Sequence, residues 1–384
     1  MQAAKKIREI QPPPITEVKG WLAGRTFPAN KPLIDLCQAV PGYPPPENLI
    51  AQLKTSLDDP LTYKYTQDEG LPEVRKDVCN WYQRYYRSSP TNDQLCLTIG
   101  ASQAFWLAMT TLCQPEDEVI VQLPAYFDHP MGLHSLGIKP VFAPFDPETG
   151  GQPDLKVIEE LITPKTKAIL LVTPSNPTGA VISPQQIETF LDLAQSHDIA
   201  LVLDETYNSF IGSAPHNLFA QDRWAENFIH IASFGKTFAL TGLRCGALIA
   251  DEAFIRQALK IQDSMVVCQP RPTQLALAYG CRQLDDWVAE NCAAMKQRHD
   301  RFKEDFLAAE LKFELTASGS FFAWIKHPWS ELTGRQAAKR LVDEANLICL
   351  PGETFGPGLE QYLRLSFGNI EDEQIPEAVQ RFRF

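Results

Sequence analysis

Between residues 95 and 233 the chain repeats one alternation, a short apolar run followed by a segment with helical spacing. "LCLTIG" (95–100), "EVIVQLP" (118–124), "KPVFAPF" (139–145), "KAILLVTP" (167–174), "IALVLDE" (199–205) and "FIHIAS" (228–233) read as strands. "SQAFWLAMTTLC" (102–113) and "LKVIEELI" (155–162) carry helical apolar spacing, and "SPQQIETFLDLAQSH" (183–197) opens with Ser then Pro, a helix-start signal. Strands that are apolar on both faces must be covered on both, and strands joined through helices run parallel. The alternation predicts an α/β fold in which a mostly parallel sheet is sandwiched by helices.

Beyond about residue 275 the pattern changes. A long amphipathic helical stretch (281–310) is followed by "GSFFAWIKH" (319–327), a helix near 335–345, "LICLPG" (347–352) and "YLRLSFG" (362–368). This predicts a smaller α+β domain. The clusters Pro12–Pro14 and Pro44–Pro46 predict extended connectors, because Pro fixes φ and blocks helix. The expected division is 1–45 as an N-terminal arm and part of the small domain, 46–275 as the large domain, and 276–384 as the small C-terminal domain. At 384 residues the chain is long enough for two cores.

Composition narrows the function classes. The net charge of −12 argues against nucleic acid or an anionic membrane as main partner. No apolar run approaches the roughly 20 residues needed to span a membrane. The basic N-terminus lacks the apolar stretch of a signal peptide. Nine Cys without a CxxC pair predict free buried thiols, a reducing compartment such as the cytoplasm, and neither a disulfide framework nor a zinc site.

In a parallel α/β sheet, ligands bind at the carboxyl ends of the strands. Those ends carry Gly100-Ala101-Ser102, "PAYFDH" with Tyr126 and His129, "PSNPTG" with Asn176, then Asp204 and Tyr207, and finally Ser233 and Lys236. A Gly–Ser turn opening a helix suits a phosphate, and Arg244 with Ser233 could complete that anion site. A lysine in a cleft near another cation becomes a usable nucleophile. Asp204, at the end of an apolar strand, needs a cationic partner. Each residue has a bland reading taken singly: a surface lysine, a turn, a helix cap, a half-buried aromatic, a structural histidine. Their order and spacing carry the argument.

The set resembles the pyridoxal-phosphate enzymes of fold type I, specifically the class I/II aminotransferases. The likeness spans nearly the whole chain: "YTQDEGLPEVR" (65–75), "GASQA" (100–104), "PAYFDH" (124–129), "TPSNPTG" (173–179), "LDETY" (203–207), "SFGKTFALTGLRCG" (233–246), "PGETFG" (351–356) and "YLRLSFG" (362–368). The resemblance implies that Lys236 holds pyridoxal 5′-phosphate covalently and then shuttles a proton. It implies that Asp204, supported by His129, pairs with the pyridine nitrogen, and that Asn176 and Tyr207 bond the phenolic oxygen. Tyr126 would stack on the ring, while Gly100, Ala101, Ser102, Ser233 and Arg244 hold the phosphate. Tyr65 would reach the neighbouring subunit's cofactor, implying a homodimer with shared sites. Arg364 would grip the substrate α-carboxylate.

The chain departs from the family pattern at Ala39, where Gly is common, which puts a backbone contact to the carboxylate in doubt. It departs also at Glu116, a turn variation, and at Asn208, where specificity could vary. Arg271 is a candidate for a second substrate carboxylate, weighed against a surface or phosphate-side role. The expected activity is amino transfer between an L-amino acid and a 2-oxo acid such as 2-oxoglutarate, over a broad range that includes neutral or aromatic side chains near Tyr126 and Phe127. A C–S β-lyase on the same scaffold is the alternative. A ligand-sensing regulator is the reading from another class; roughly 45 residues ahead of the main domain leave little room for a DNA-binding module.

Overall fold

The computed structural model of the chain describes residues 1–383. Seven strands form the main sheet: β1 (Leu95–Ile99), β2 (Glu118–Gln122), β3 (Lys139–Ala143), β4 (Thr166–Val172), β5 (Ala200–Asp204), β6 (Phe228–Ser233) and β7 (Cys245–Ile249). Their order is β1-β7-β6-β5-β4-β2-β3. Strands β3, β2, β4, β5 and β6 pair in parallel, as the alternation predicts. β7 is antiparallel to both of its neighbours and was not read from the sequence. It begins inside the "LRCG" string, at Cys245, and is set off from β6 by no more than the one-turn helix Phe234–Thr237 and the 3-10 turn Thr241–Leu243, too short to leave a helical period.

The apolar runs feed two layers. Leu201 and Leu203 of β5 enter one core, while Ala200 and Val202, pointing oppositely, enter the other. β4 does the same with Ile169 and Leu171 against Ala168 and Leu170. Period-2 side-chain direction accounts for both. Helix Gly100–Leu112 packs against β7 and β6 from one side, and helix Pro72–Tyr85 lies with helix Arg271–Gln283 on the other. Helix Pro184–Ser196 starts with a capping box in which Ser183 Oγ accepts from Gln186 N and Gln186 Oε1 accepts from Ser183 N, worth about 1 kcal/mol.

A second, antiparallel sheet has four strands in the order Leu350–Pro351, Tyr362–Ser366, Phe322–Lys326, Glu314–Gly319. Ile34–Asp35 pairs in parallel with Leu347–Ile348, which brings the N-terminal segment to this part of the molecule. Ile34, Leu36, Phe302, Phe321 and Leu363 share its core.

Two local expectations need correction. The stretch 281–310 is not one helix: Arg271–Gln283 and Asp285–Ala308 break at Leu284, a core residue whose φ of −113° leaves the helical range. The first Pro cluster is not wholly an extended connector either. Pro14 is the first residue of a helix, Pro14–Gly20, a position where its missing N–H costs no hydrogen bond.

Candidate active site

The carboxyl ends of the parallel strands open into a cavity of about 440 Å³. Ala39, Ala101, Ser102, Tyr126, His129, Asn176, Asp204, Tyr207, Ser233, Lys236, Arg244 and Arg364 all line it. The fold brings together residues as far apart in sequence as Ala39, from the N-terminal segment, and Arg364, from the second sheet.

Lys236 lies in a one-turn helix, Phe234–Thr237, directly after β6. Its Nζ donates to the Ala39 carbonyl at 2.7 Å. Burial, reinforced by the Arg244 and Arg364 charges, lowers its pKa to about 7. An ammonium beside two guanidiniums in a low-dielectric cleft is held near neutrality.

Asp204 ends β5 and is 4% exposed. Burial alone would raise its pKa, but a bond from His129 at 3.1 Å, that ring's charge and the Thr206 N–H at 2.9 Å outweigh burial, and the net shift is downward. His129 rests against the Phe105 ring at 4.5 Å, which fixes its orientation. Thr206 contributes through a backbone N–H, which residue type cannot reveal.

The anion cradle is built by close packing. Gly100 has φ +74°, and a Cβ there would come within 2.5 Å of Arg244 Nη2, so the guanidinium lies against the start of helix Gly100–Leu112. A Cβ on Gly246 would meet Gly100 C at 2.4 Å, so β7 itself presses on that turn. Arg244 is left-handed, φ +59°, with its Nη1 donating to Thr241 O at 3.1 Å. Free N–H groups at a helix start, two hydroxyls and a guanidinium suit a phosphate.

Arg364, 1% exposed, reaches across from the second sheet. Its Nη1 donates to Asn176 Oδ1 at 3.1 Å and its Nη2 to the Cys37 carbonyl. Burial pulls its pKa down, and its Nε has no hydrogen-bond partner among the described residues. Asn176 therefore spends its oxygen on Arg364 and keeps its amide nitrogen as a donor. Tyr126 donates to Asp128 Oδ2 at 2.5 Å. Tyr207 is buried, and desolvation raises its pKa well above the ordinary phenol range.

Four singled-out residues lie elsewhere. Tyr65 is 82% exposed, in a surface groove with Arg271. Arg271 pairs with Asp59 at 3.2 Å and does not line the cavity, so it is not a second carboxylate ligand within this chain. Asn208 does not line it either; its Nδ2 donates to Tyr86 OH at 2.8 Å in the core. Glu116 has φ +73° in a turn, the conformation Gly favours. Sequence reasoning missed Ile10, Ile15, Gln38, Phe105, Trp106, Met131 and Ser135 as cavity walls. No local signal marks them, because tertiary packing alone delivers the N-terminal segment to the site.

A family model described as aminotransferase class I and II matches residues 31–382. The chain belongs to this family. It is an enzyme that transaminates amino acids. It is similar to aromatic-amino-acid aminotransferase 2 of Thermococcus litoralis, with 27% identity over 91% of this chain and 90% of that protein. It is similar also to the aspartate aminotransferase of Pyrococcus abyssi, with 28% identity over 91% of each. Among solved structures, the aspartate aminotransferase of Thermus thermophilus with maleate superposes with a TM-score of 0.90 at 26% identity, covering 100% of this chain and 99% of that one. These relatives do not favour the lyase.

Proposed function

We propose that this aminotransferase works through pyridoxal 5′-phosphate, as a homodimer, on an L-amino acid and a 2-oxo acid, with 2-oxoglutarate among its acceptors. One observation carries the reading. A single cavity holds a lysine amine brought near neutrality, a buried carboxylate kept anionic, and a helix-start anion cradle. That donor set fits the cofactor's aldehyde, ring nitrogen and phosphate. Lys236 would attach it, Asp204 would face its ring nitrogen, and Tyr126 would stack on it. Asn176 and Tyr207 would bond its phenolic oxygen. Gly100, Ala101, Ser102, Ser233 and Arg244 would hold its phosphate. When bound, this group supplies an electron sink for the carbanion formed at the substrate Cα.

The chain's own residues do the rest. Arg364, fixed by Asn176 and the Cys37 carbonyl, presents a guanidinium to the substrate α-carboxylate. Lys236 Nζ, neutral above about pH 7, takes the Cα proton and returns it to the acceptor carbon. His129 keeps Asp204 ionised and oriented. Ala39 offers its carbonyl to the Lys236 amine; this positions the base rather than the substrate carboxylate.

Support for the dimer comes from one exposed stretch, with Tyr63 76% and Tyr65 82% accessible, where a second chain would cover apolar surface. Nine free thiols support a reducing, cytoplasmic setting. No described helix is long and apolar enough to cross a membrane. We also propose the division into 1–45 with 276–384, and 46–275, as the functional domains. The test is borohydride reduction of protein supplied with the coenzyme, followed by peptide mass mapping. The expected result is one adduct, on Lys236. Colourless protein with no fixed adduct would overturn the reading.

A further inference from the structure

The cavity has a part that Lys236, Asp204, Arg244 and Arg364 do not fill. Its walls are Ile10, Ile15, Trp106, Phe127 and Met131. Ile15, Tyr126 and Met131 pack on a cluster that includes Val18, Phe127, Trp324 and Phe355, while Trp106 packs on the separate cluster of Phe105 and Leu107. The pocket therefore bridges two apolar cores. Its N-terminal wall is fastened down. Gln11 Nε2 donates to Thr354 O at 3.0 Å, and Arg335 Nε donates to Glu17 Oε1 at 2.8 Å. Helix Lys5–Arg8 contacts helix Asp128–Leu136.

Charge in this part of the cavity has one sign. Among the described residues that line the cavity, the Lys and Arg side chains are Lys236, Arg244 and Arg364. Each has a task in the reading above, and His129 is bonded to Asp204. The remaining carboxylate is Asp128, which accepts from Tyr126 OH and has no ion pair among the described residues. A second substrate carboxylate placed here would lose water, face Asp128 and find no counter-ion among the described residues of its own chain, which is unfavourable. An apolar side chain loses nothing and gains the contacts of five hydrophobic walls.

We infer that this pocket selects amino acids with uncharged apolar side chains, of the leucine, methionine or phenylalanine kind, and discriminates against aspartate, although structural neighbours are aspartate aminotransferases. Ile15, Trp106 and Met131 are then specificity-determining residues. Glutamate, whose side-chain carboxylate is one methylene further from Cα, falls between. The inference rests on Arg364 as the α-carboxylate ligand.

The test uses coenzyme-loaded enzyme and two readouts. The first is calorimetric binding of 3-phenylpropanoate and of succinate, which share one carboxylate and differ in the far group. The expected dissociation constant is at least ~10-fold lower for 3-phenylpropanoate. The second is kcat/KM for phenylalanine, leucine, glutamate and aspartate, expected to fall in the order apolar, glutamate, aspartate. Met131→Arg should weaken 3-phenylpropanoate and strengthen succinate. Ile15→Arg, on the N-terminal wall, makes the same comparison should the first variant not fold. Succinate binding as tightly as 3-phenylpropanoate, or aspartate turning over as fast as leucine, overturns the proposal. If no amino acid discharges the bound coenzyme's absorbance, the pyridoxal-phosphate reading falls, and the binding pair alone decides the pocket.

Discussion

Asp204 and Glu205 are neighbours at the end of β5, both buried carboxylates and both held by histidine, yet they serve different ends. Asp204 takes His129 on one oxygen and the Thr206 N–H on the other, and it lines the cavity. Glu205 is 0% exposed and points into an aromatic core. Its Oε2 accepts from Tyr86 OH at 2.9 Å and from His216 Nε2 at 3.1 Å, with His230 Nδ1 at 3.4 Å. Leu218 N–H donates to His216 Nδ1, so that ring's proton sits on Nε2, facing the acid. Burial drives the His230 pKa down to about 4, so this ring is neutral at ordinary pH. The ligand atoms of Glu205, His216 and His230 lie within 4.8 Å of one another. Their hydrogen bonds to Tyr86, Leu218 and Tyr82 and their burial among aromatic rings tie them into the core, although Glu205 Oε1 and His230 Nδ1 have no hydrogen-bond partner among the described residues. Residue type does not distinguish a working acid from a structural one. Access to the cavity does.

The comparison breaks most visibly if the cavity side is not catalytic. Lys236→Ala should cut kcat by about 10⁴-fold or more while the fold melts normally, since the proposed base is gone. Single-turnover kinetics on coenzyme-loaded protein would measure it, and appreciable turnover would remove Lys236 from the mechanism. Asp204→Asn should cost about 10³-fold in kcat, close to 4 kcal/mol in barrier, with little loss of stability, because Asn keeps the shape but not the charge that the ring nitrogen needs. An unchanged rate would place Asp204 with Glu205 as structure.

The sealed side predicts the reverse. Glu205→Gln keeps one oxygen to accept from the Tyr86 hydroxyl and His216 Nε2–H, but it loses the charge and puts an amide N–H2 in the buried place of Oε1, which has no partner among the described residues. A loss of about 3 kcal/mol is expected, read as a lower denaturant midpoint at unchanged slope. The folded fraction should keep near-normal kcat/KM. A large catalytic defect without destabilisation would show that the Tyr86–Asn208 network transmits to Tyr207, the residue beside Asn208.

These two carboxylates also mark how far sequence reading reaches. The apolar runs fixed six of the seven main strands, because continuous burial on both faces leaves a composition signature. The cavity polar groups were legible because each sits at a strand end in a recognisable local string. β7 was not legible, and neither was Leu284 as a helix break, since both depend on neighbours distant in sequence. Glu205 follows Asp204 in the same "LDETY" string, but only the packing of Tyr82, Tyr86, His216 and Phe219 around it reveals its task. Ile10 and Ile15 belong to the same class. A wall contributed by residues about 90 to 120 positions from the rest of the pocket leaves no periodicity to read.

Titration sharpens the contrast by the smallest margin. The Lys236 amine keeps its proton up to about 10.5 in an unfolded chain but releases it near 7 in the fold. Below pH 7 both states hold the proton, and the buried ammonium weighs against folding. Between 7 and 10.5 only the unfolded chain holds it, so stability of the coenzyme-free enzyme rises with pH. Partial contact of the side chain with the open cavity limits the gain to at most about 1 kcal/mol per pH unit. The lowered pKa values of Asp204 and Glu205 act at the other end, with stability lost as pH falls below the ordinary carboxylate range. Chemical denaturation of the coenzyme-free protein between pH 6 and 9 should therefore show an alkaline rise. Lys236→Met should abolish that rise and Glu205→Gln should keep it. A rise that survives Lys236→Met would mean that the amine beside Arg244 and Arg364 is not held near neutrality, and that the cavity differs less from the sealed core than its geometry implies.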